Sequence, residues 1–235
     1  MNIACIIPAR GGSKGIPGKN VKTLAGKPLI QWSIEQALNS QRINKGVYVS
    51  SDSDAILSVA ETCGAIAVKR PDELSSDTAS SEAALQHCID VIRSQHDIDL
   101  IVFLQCTSPI RQQDDIDNAI ATLLASEADS LLSVLTIKDY FVWQDSANNN
   151  ESAHSVNFDF QNRKRRQDLP TQYLENGSIY VFKPDVLAQY NNRLGGKIAL
   201  YPMEKYCSQQ IDDDAEFMLC DAILRGLNRS SGVQS

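Results

Sequence analysis

The run Ile3-Ala4-Cys5-Ile6-Ile7-Pro8, followed at once by Ala9-Arg10-Gly11-Gly12-Ser13-Lys14-Gly15-Ile16-Pro17-Gly18-Lys19-Asn20, decides how this chain is read. The first part is apolar without alternation, the pattern of a strand buried on both faces. The second carries four glycines and three cations. In an open α/β sheet, ligands bind beyond the carboxyl ends of strands, so a loop of this composition sits where a site belongs. Glycines let backbone N–H groups approach phosphate oxygens, while Arg10 and Lys19 neutralise charge that amides alone hold weakly. A merely flexible basic turn does not need four glycines with spaced cations.

Two familiar phosphate loops fail on this stretch. If Gly18-Lys19 closes a P-loop, Ser13 stands where the first glycine belongs and Asn20 stands where Ser or Thr would reach magnesium. The dinucleotide pattern G-x-G-x-x-G is absent too. The expectation is a nucleoside triphosphate site of another design.

Outward from this loop, short apolar runs alternate with helical spacing through residue 136, as in a mostly parallel sheet flanked by helices. Strands are expected at Ile3 to Ile7, Gly46 to Ser50, Ala65 to Lys69, Asp99 to Gln105 and Ser130 to Thr136. A helix is expected after Pro28, where Leu29, Ile30, Ser33, Ile34, Ala37 and Leu38 share a face. Further helices are expected around 53–63, 81–95 and 113–126. The pattern then dissolves over 137–174 into polar, Asn-rich sequence with a basic cluster, Arg163-Lys164-Arg165-Arg166. A stretch this long without its own pattern is usually a lid, an interface arm or disorder. It also carries Tyr140, Phe141, Val142 and Trp143, apolar groups that are costly to leave in water. Strands at Glu175 to Phe182 and Lys197 to Tyr201 and a helix at Ala215 to Leu227 complete one α/β domain over 1–235.

The 22 cationic and 29 acidic residues leave a net charge of −7, which lacks the broad positive field a nucleic-acid binder needs. Apolar runs such as Leu100 to Leu104 fall far short of the roughly 20 residues that cross a bilayer, and no membrane partner is expected. The N-terminus has no basic leader or long apolar stretch of a secretory signal. Six cysteines, widely separated and never in a C-x-x-C pair, suit reduced thiols in a cytoplasm rather than a zinc site or disulfide framework.

The loop Ile7 to Asn20 closely resembles the signature of the acylneuraminate cytidylyltransferases, the CMP-sialic acid synthetases and their bacterial nonulosonate relatives. The resemblance continues in Arg70-Pro71-Asp72-Glu73-Leu74-Ser75-Ser76-Asp77-Thr78-Ala79-Ser80-Ser81 and in Leu104-Gln105-Cys106-Thr107-Ser108-Pro109-Ile110-Arg111. It goes on in Arg166-Gln167-Asp168-Leu169-Pro170, Asn176-Gly177-Ser178-Ile179-Tyr180 and Ile211-Asp212-Asp213-Asp214, all in the family's order. It implies a Rossmann-like nucleotidyltransferase fold, a homodimer with the insertion as dimerisation arm or lid, and transfer of CMP from CTP to a nine-carbon keto-sugar acid with release of pyrophosphate. Such a reaction is an in-line displacement in which the sugar's anomeric hydroxyl attacks the α-phosphorus.

By the same resemblance, Arg10, Ser13, Lys19 and Asn20 hold the triphosphate, with Arg10 and Lys19 catalytic beside the departing charge. Arg70 and Ser81 contact base and ribose, and Gln105, Arg166, Asn176 and Tyr180 meet the sugar. Taken alone, Arg70 is an ordinary loop residue and Ser80 or Ser81 an ordinary N-cap. The family usually has proline where this chain has Cys106, which puts local backbone rigidity in question. Asp212 and Asp214 are implied ligands of Mg²⁺, with Mn²⁺ as a substitute, and paired hard oxygens suit that ion. Asp213 with Glu216 three residues on also reads as a helix capping box, and both roles can hold together. The alternatives are another keto-sugar acid (legionaminic, pseudaminic or 3-deoxy-octulosonic), GTP in place of CTP, or a catalytically silent nucleotide-binding module. The octulosonate branch is disfavoured because its first loop usually reads differently around the Ser-Lys and Lys-Asn pairs.

Overall fold

The structure is a computed structural model and describes residues 1–12, 15–75, 80–138, 140–145 and 152–230. Its strands are β1 (Ile3–Pro8), β2 (Thr23–Leu24), β3 (Lys27–Pro28), β4 (Val47–Ser51), β5 (Ile66–Lys69), β6 (Leu100–Leu104), β7 (Ser130–Ile137), β8 (Trp143–Gln144), β9 (His154–Ser155), β10 (Gln172–Phe182) and β11 (Ile198–Met203). The main sheet runs β11-β7-β10-β6-β1-β4-β5. Only β10 is antiparallel to its neighbours, while β1 pairs in parallel with both β4 and β6, and β7 in parallel with β11. The result is a mostly parallel Rossmann-like sheet.

The helices are α1 (Leu29–Leu38), α2 (Asp54–Thr62), α3 (Ser81–Arg93), α4 (Asp115–Ala125), α5 (Pro184–Tyr190) and α6 (Asp214–Ser230). Alternation along β1 divides the core in two: Cys5 and Ile7 face a cluster with Ile30, Ile56, Ile120 and Phe217, so α1, α2, α4 and α6 cover one face. Ala4 and Ile6 face a second cluster with Leu85, Ile89 and Leu187, so α3 and α5 cover the other. A chain sandwiched this way must be apolar throughout, which is why β1, β4 and β6 read as continuous hydrophobic runs.

Three features depart from the sequence reading. The short α5 follows Lys183 and is too brief to show a period. The segment 137–174 is not wholly irregular: β8 pairs with β9, and β10 begins at Gln172. Its aromatic residues also find one another, with Phe158 against Phe141 (4.5 Å) and Trp143 (5.5 Å), and Trp143 against Phe160 (5.3 Å). Their spacing follows a hairpin contact rather than a helix or strand period, so periodicity could not reveal it. Residues 146–151, including the Asn-rich run, lie outside the described residues.

Candidate active site

The carboxyl ends of β1, β4 and β6 open into a cleft with two connected halves. One, of about 490 Å³, is walled by Arg10, Arg70, Ser80, Ser81, Phe103 and Gln105 among others. The second, of about 390 Å³, is bordered by Arg10, Gly15, Lys19, Asn20 and Asp212, and Pro8, Arg10, Cys106 and Thr107 belong to both. Arg10 therefore stands at the junction.

The glycine loop is held from three directions. Gly11 N donates to Asp52 Oδ1 at 2.8 Å, which ties it to the end of β4. Asn20 Nδ2 donates to the Arg10 carbonyl at 2.9 Å, and the Cys106 thiol donates to Asn20 Oδ1 at 3.0 Å. Gly15 lies so near the distant 211–214 segment that a Cβ there would come within 2.0 Å of the Asp212 carbonyl oxygen, which no side chain tolerates. Gly18 takes φ 63°, the left-handed turn that starts the 3-10 turn Lys19–Val21. Gly15 and Gly18 thus serve close approach and turning. Ser13 and Lys14 lie outside the described residues.

Lys19 is buried, and its Nζ donates to the Ile211 carbonyl and to Asp212 Oδ1 at 3.3 Å. Ile211 N in turn donates to the Thr107 carbonyl at 2.9 Å, so the acidic segment is stitched to the loop after β6. Asp214 pairs with Lys22 at 3.1 Å. Both carboxylates are about three-quarters exposed (74% and 75%). The capping box is present: Glu216 N donates to Asp213 Oδ1 at 2.9 Å, and Asp213 N to Glu216 Oε2 at 3.2 Å. Capping thus falls to Asp213 and leaves Asp212 and Asp214 pointing elsewhere. Among the described residues no cluster of three His, Cys, Asp or Glu gathers as a closed metal cage. Two exposed carboxylates beside the glycine loop fit instead a hard cation that takes the rest of its oxygen shell from a ligand and water.

In the larger half, Arg70 is buried, with Nη2 donating to the Ser50 carbonyl at 2.7 Å and Nε to Ser50 Oγ at 3.2 Å. Burial pulls its pKa below the usual arginine value, with Asp52 opposing that shift. Its guanidinium is thus fixed before any ligand arrives. Ser80 caps α3 by accepting from Ala83 N, and both Ser80 and Ser81 line the cleft.

Gln105 lines the larger half. Asn176 and Tyr180 do not border either half of the cleft. Asn176 is buried, its Oδ1 accepting from Ser133 Oγ at 2.6 Å and its Nδ2 facing Met203 Sδ at 3.3 Å. Tyr180 stacks at 5.3 Å behind the cleft-lining Phe103, its hydroxyl donates to Glu175, and Arg193 lies over both rings. Arg166 opens the 3-10 turn Arg166–Asp168, and its side chain lies outside the description.

Sequence reasoning passed over Asp52, Ser50 and Arg111. Arg111 closes the quoted Leu104 to Arg111 block, but three of its four partners lie far away in sequence. Its guanidinium is buried and donates to Ser33 Oγ (3.1 Å), Gln36 Oε1 (2.8 Å), the Gln105 carbonyl (3.0 Å) and the Ser178 carbonyl (2.8 Å). Cys106, in place of proline, is held by its thiol bond to Asn20, and burial pushes that thiol up to about 11.

Residues 4–220 match the family model of the cytidylyltransferases. The chain is 36% identical over 221 residues to an N-acylneuraminate cytidylyltransferase of Oncorhynchus mykiss, covering 94% of this chain and 50% of that protein. It is 38% identical over 183 residues to a pseudaminic acid cytidylyltransferase of Campylobacter jejuni, covering 77% of this chain and 78% of that one. A solved CMP:2-keto-3-deoxy-manno-octonic acid synthetase in complex with CTP superposes with a TM-score of 0.69 over 98% of this chain and 100% of that one, at 18% identity, a likeness of fold alone. The fold is that of the Rossmann-like α/β class. Within that class the chain belongs to the cytidylyltransferase family. It spans about half the length of the N-acylneuraminate relatives it matches.

Proposed function

We propose that this chain transfers CMP from CTP to the anomeric hydroxyl of a nonulosonic acid, releasing pyrophosphate. The observation that carries the reading is the two-part cleft with Arg10 at its waist: a nucleoside-sized half beside Arg70 and Ser81, and a cation-lined half against the glycine loop. The α-phosphate belongs at the waist, with pyrophosphate toward Lys19 and the sugar toward Gln105. Arg10 neutralises the charge that grows on the departing pyrophosphate, and Lys19 both contributes charge and anchors Asp212. Holding the hydroxyl and the phosphorus in line supplies much of the remaining rate.

Asp212 and Asp214 would hold a divalent cation, Mg²⁺ in the first instance and Mn²⁺ as a substitute. Bound there, it would offset phosphate charge. Arg166 recognises the sugar carboxylate, for which a guanidinium is the best-shaped partner. The exposed aromatic cluster of the 140–160 segment packs against a second copy in a homodimer. Trp143 and Phe160, 50% and 51% exposed in the single chain, are the residues that association would cover.

An N-acylneuraminic acid such as N-acetylneuraminic acid and pseudaminic acid are the two acceptors to set side by side, since relatives named for each are 36% identical over 221 aligned residues and 38% over 183. Turnover of a panel of nonulosonic acids with CTP and with GTP tests the proposal. CTP-dependent product with at least one acid supports it; product with GTP alone, or tight CTP binding with no product from any acid, contradicts it.

A further inference from the structure

Arg111 is a buried cation whose hydrogen-bond partners are all neutral. It is 8% exposed, yet all four of its hydrogen bonds go to neutral oxygens, those of Ser33, Gln36, Gln105 and Ser178. Among the described residues it forms no ion pair, and its Nε has no partner. The carboxylate that acts on it, Asp115, spends its oxygens on Tyr201 Oη (2.9 Å) and Gln112 N (2.6 Å). A buried cation without a counter-ion is expensive, and a fold that retains one gains little stability by it. Burial lowers its pKa only to about 10, so the charge persists at neutral pH.

The position of this charge suggests its use. Nη2 holds the carbonyl of Gln105, whose side chain lines the cleft, and also the carbonyl of Ser178, next to Gly177, where an added Cβ would come within 3.1 Å of Gln105 Oε1. The field of Arg111 extends to the Cys106 thiol at the waist of the cleft and pulls its pKa down against the larger effect of burial. In a low-dielectric interior such a field is poorly screened.

We propose that Arg111 is a positioning residue for the transfer reaction: its two Nη2 hydrogen bonds set Gln105 against β10, its two Nη1 bonds tie it to α1, and its unneutralised charge beneath the cleft floor favours anionic substrates at the waist. The inference rests on the cleft binding CTP as proposed above.

Arg111→Met removes four hydrogen bonds at once and can fail by unfolding, so the test uses its partner Gln36, which borders neither half of the cleft. Gln36→Glu and Gln36→Met both lose the 2.9 Å hydrogen bond from Gln36 Nε2 to the Pro109 carbonyl. Only Gln36→Glu keeps an acceptor for Arg111 and neutralises it. Calorimetric titration with CTP should show affinity falling about five- to tenfold in Gln36→Glu, the scale of one unit charge offset at an effective dielectric near 20. Gln36→Met should lose less than about twofold, as no charge is offset. Equal losses, or a larger loss in Gln36→Met, would mean that Arg111 acts as a clamp alone and would overturn the field role. This comparison needs no turnover: wild-type protein that binds CTP but makes no product counts against the proposed activity and leaves the Arg111 test standing.

Discussion

Lys19 Nζ lies 3.3 Å from Asp212 Oδ1, a buried ammonium reaching an exposed carboxylate near the far end of the chain. The contact makes one unit of two segments, the glycine loop and the acidic turn before α6. With the Lys22–Asp214 pair, it helps set the spacing between the glycine-loop half of the cleft and the residues proposed to hold metal.

Loss of either fixed cation should be felt in turnover. Arg10→Ala or Lys19→Ala is expected to lower kcat by about 10²-fold or more, the scale of removing one preorganised stabiliser. Steady-state pyrophosphate release reads the effect, and circular dichroism should show the fold retained. Nearly wild-type turnover in either variant would remove that residue from the mechanism.

Metal binding and helix capping are now separable, because the cap belongs to Asp213. Asp212→Asn and Asp214→Asn should abolish activity with little change in melting temperature. Asp213→Ala should lower stability by about 1 kcal/mol and leave turnover largely intact. Chelator should silence the wild type, with recovery on adding Mg²⁺ or Mn²⁺. Full turnover in chelator would rule out the cation role of the two aspartates.

Burial raises Cys88 and Cys207 to about 12 and Cys106 and Cys220 to about 11, against an ordinary thiol value of 9.0. Each native thiol holds its proton more tightly than the unfolded one. Their contribution to stability is therefore complete below pH 9 and is lost as pH climbs through 11 to 12. Urea unfolding midpoints should hold level in this respect up to pH 9 and decline above it, with a shallower decline in Cys106→Ala. The same burial predicts slow alkylation of Cys106 at neutral pH.

The parallel core was legible because a strand covered on both faces must be apolar, and β1, β4 and β6 satisfy that requirement with no competing pattern. The glycine loop was legible because few other chemistries call for that composition after such a strand. What stayed hidden was produced by long-range contact: Arg111 meeting Ser178, Lys19 meeting Asp212, and Asn176 turning into the sheet toward Ser133. None of these pairs is close in sequence, and a single sequence carries no trace of which polar groups folding will bring together. The aromatic hairpin of the insertion was missed for a related reason, since Trp143 and Phe158 interact through a turn that leaves no period.

Association should depend on that hairpin. Sedimentation is expected to give a species of about twice the chain mass at micromolar concentration, and Trp143→Lys should shift it toward monomer because a charge at an apolar contact is costly. A fully active wild-type monomer would recast the segment as a lid, with Arg166 acting within its own chain.

The central claim is transfer of CMP, and product stoichiometry tests it most directly. The protein is mixed with Mg²⁺, CTP and N-acetylneuraminic or pseudaminic acid, pyrophosphate is quantified, and the sugar nucleotide is weighed by mass spectrometry. The account predicts one pyrophosphate per CMP-sugar formed and none without the sugar acid. Cleavage of CTP to free CMP or CDP without a CMP-sugar would contradict it.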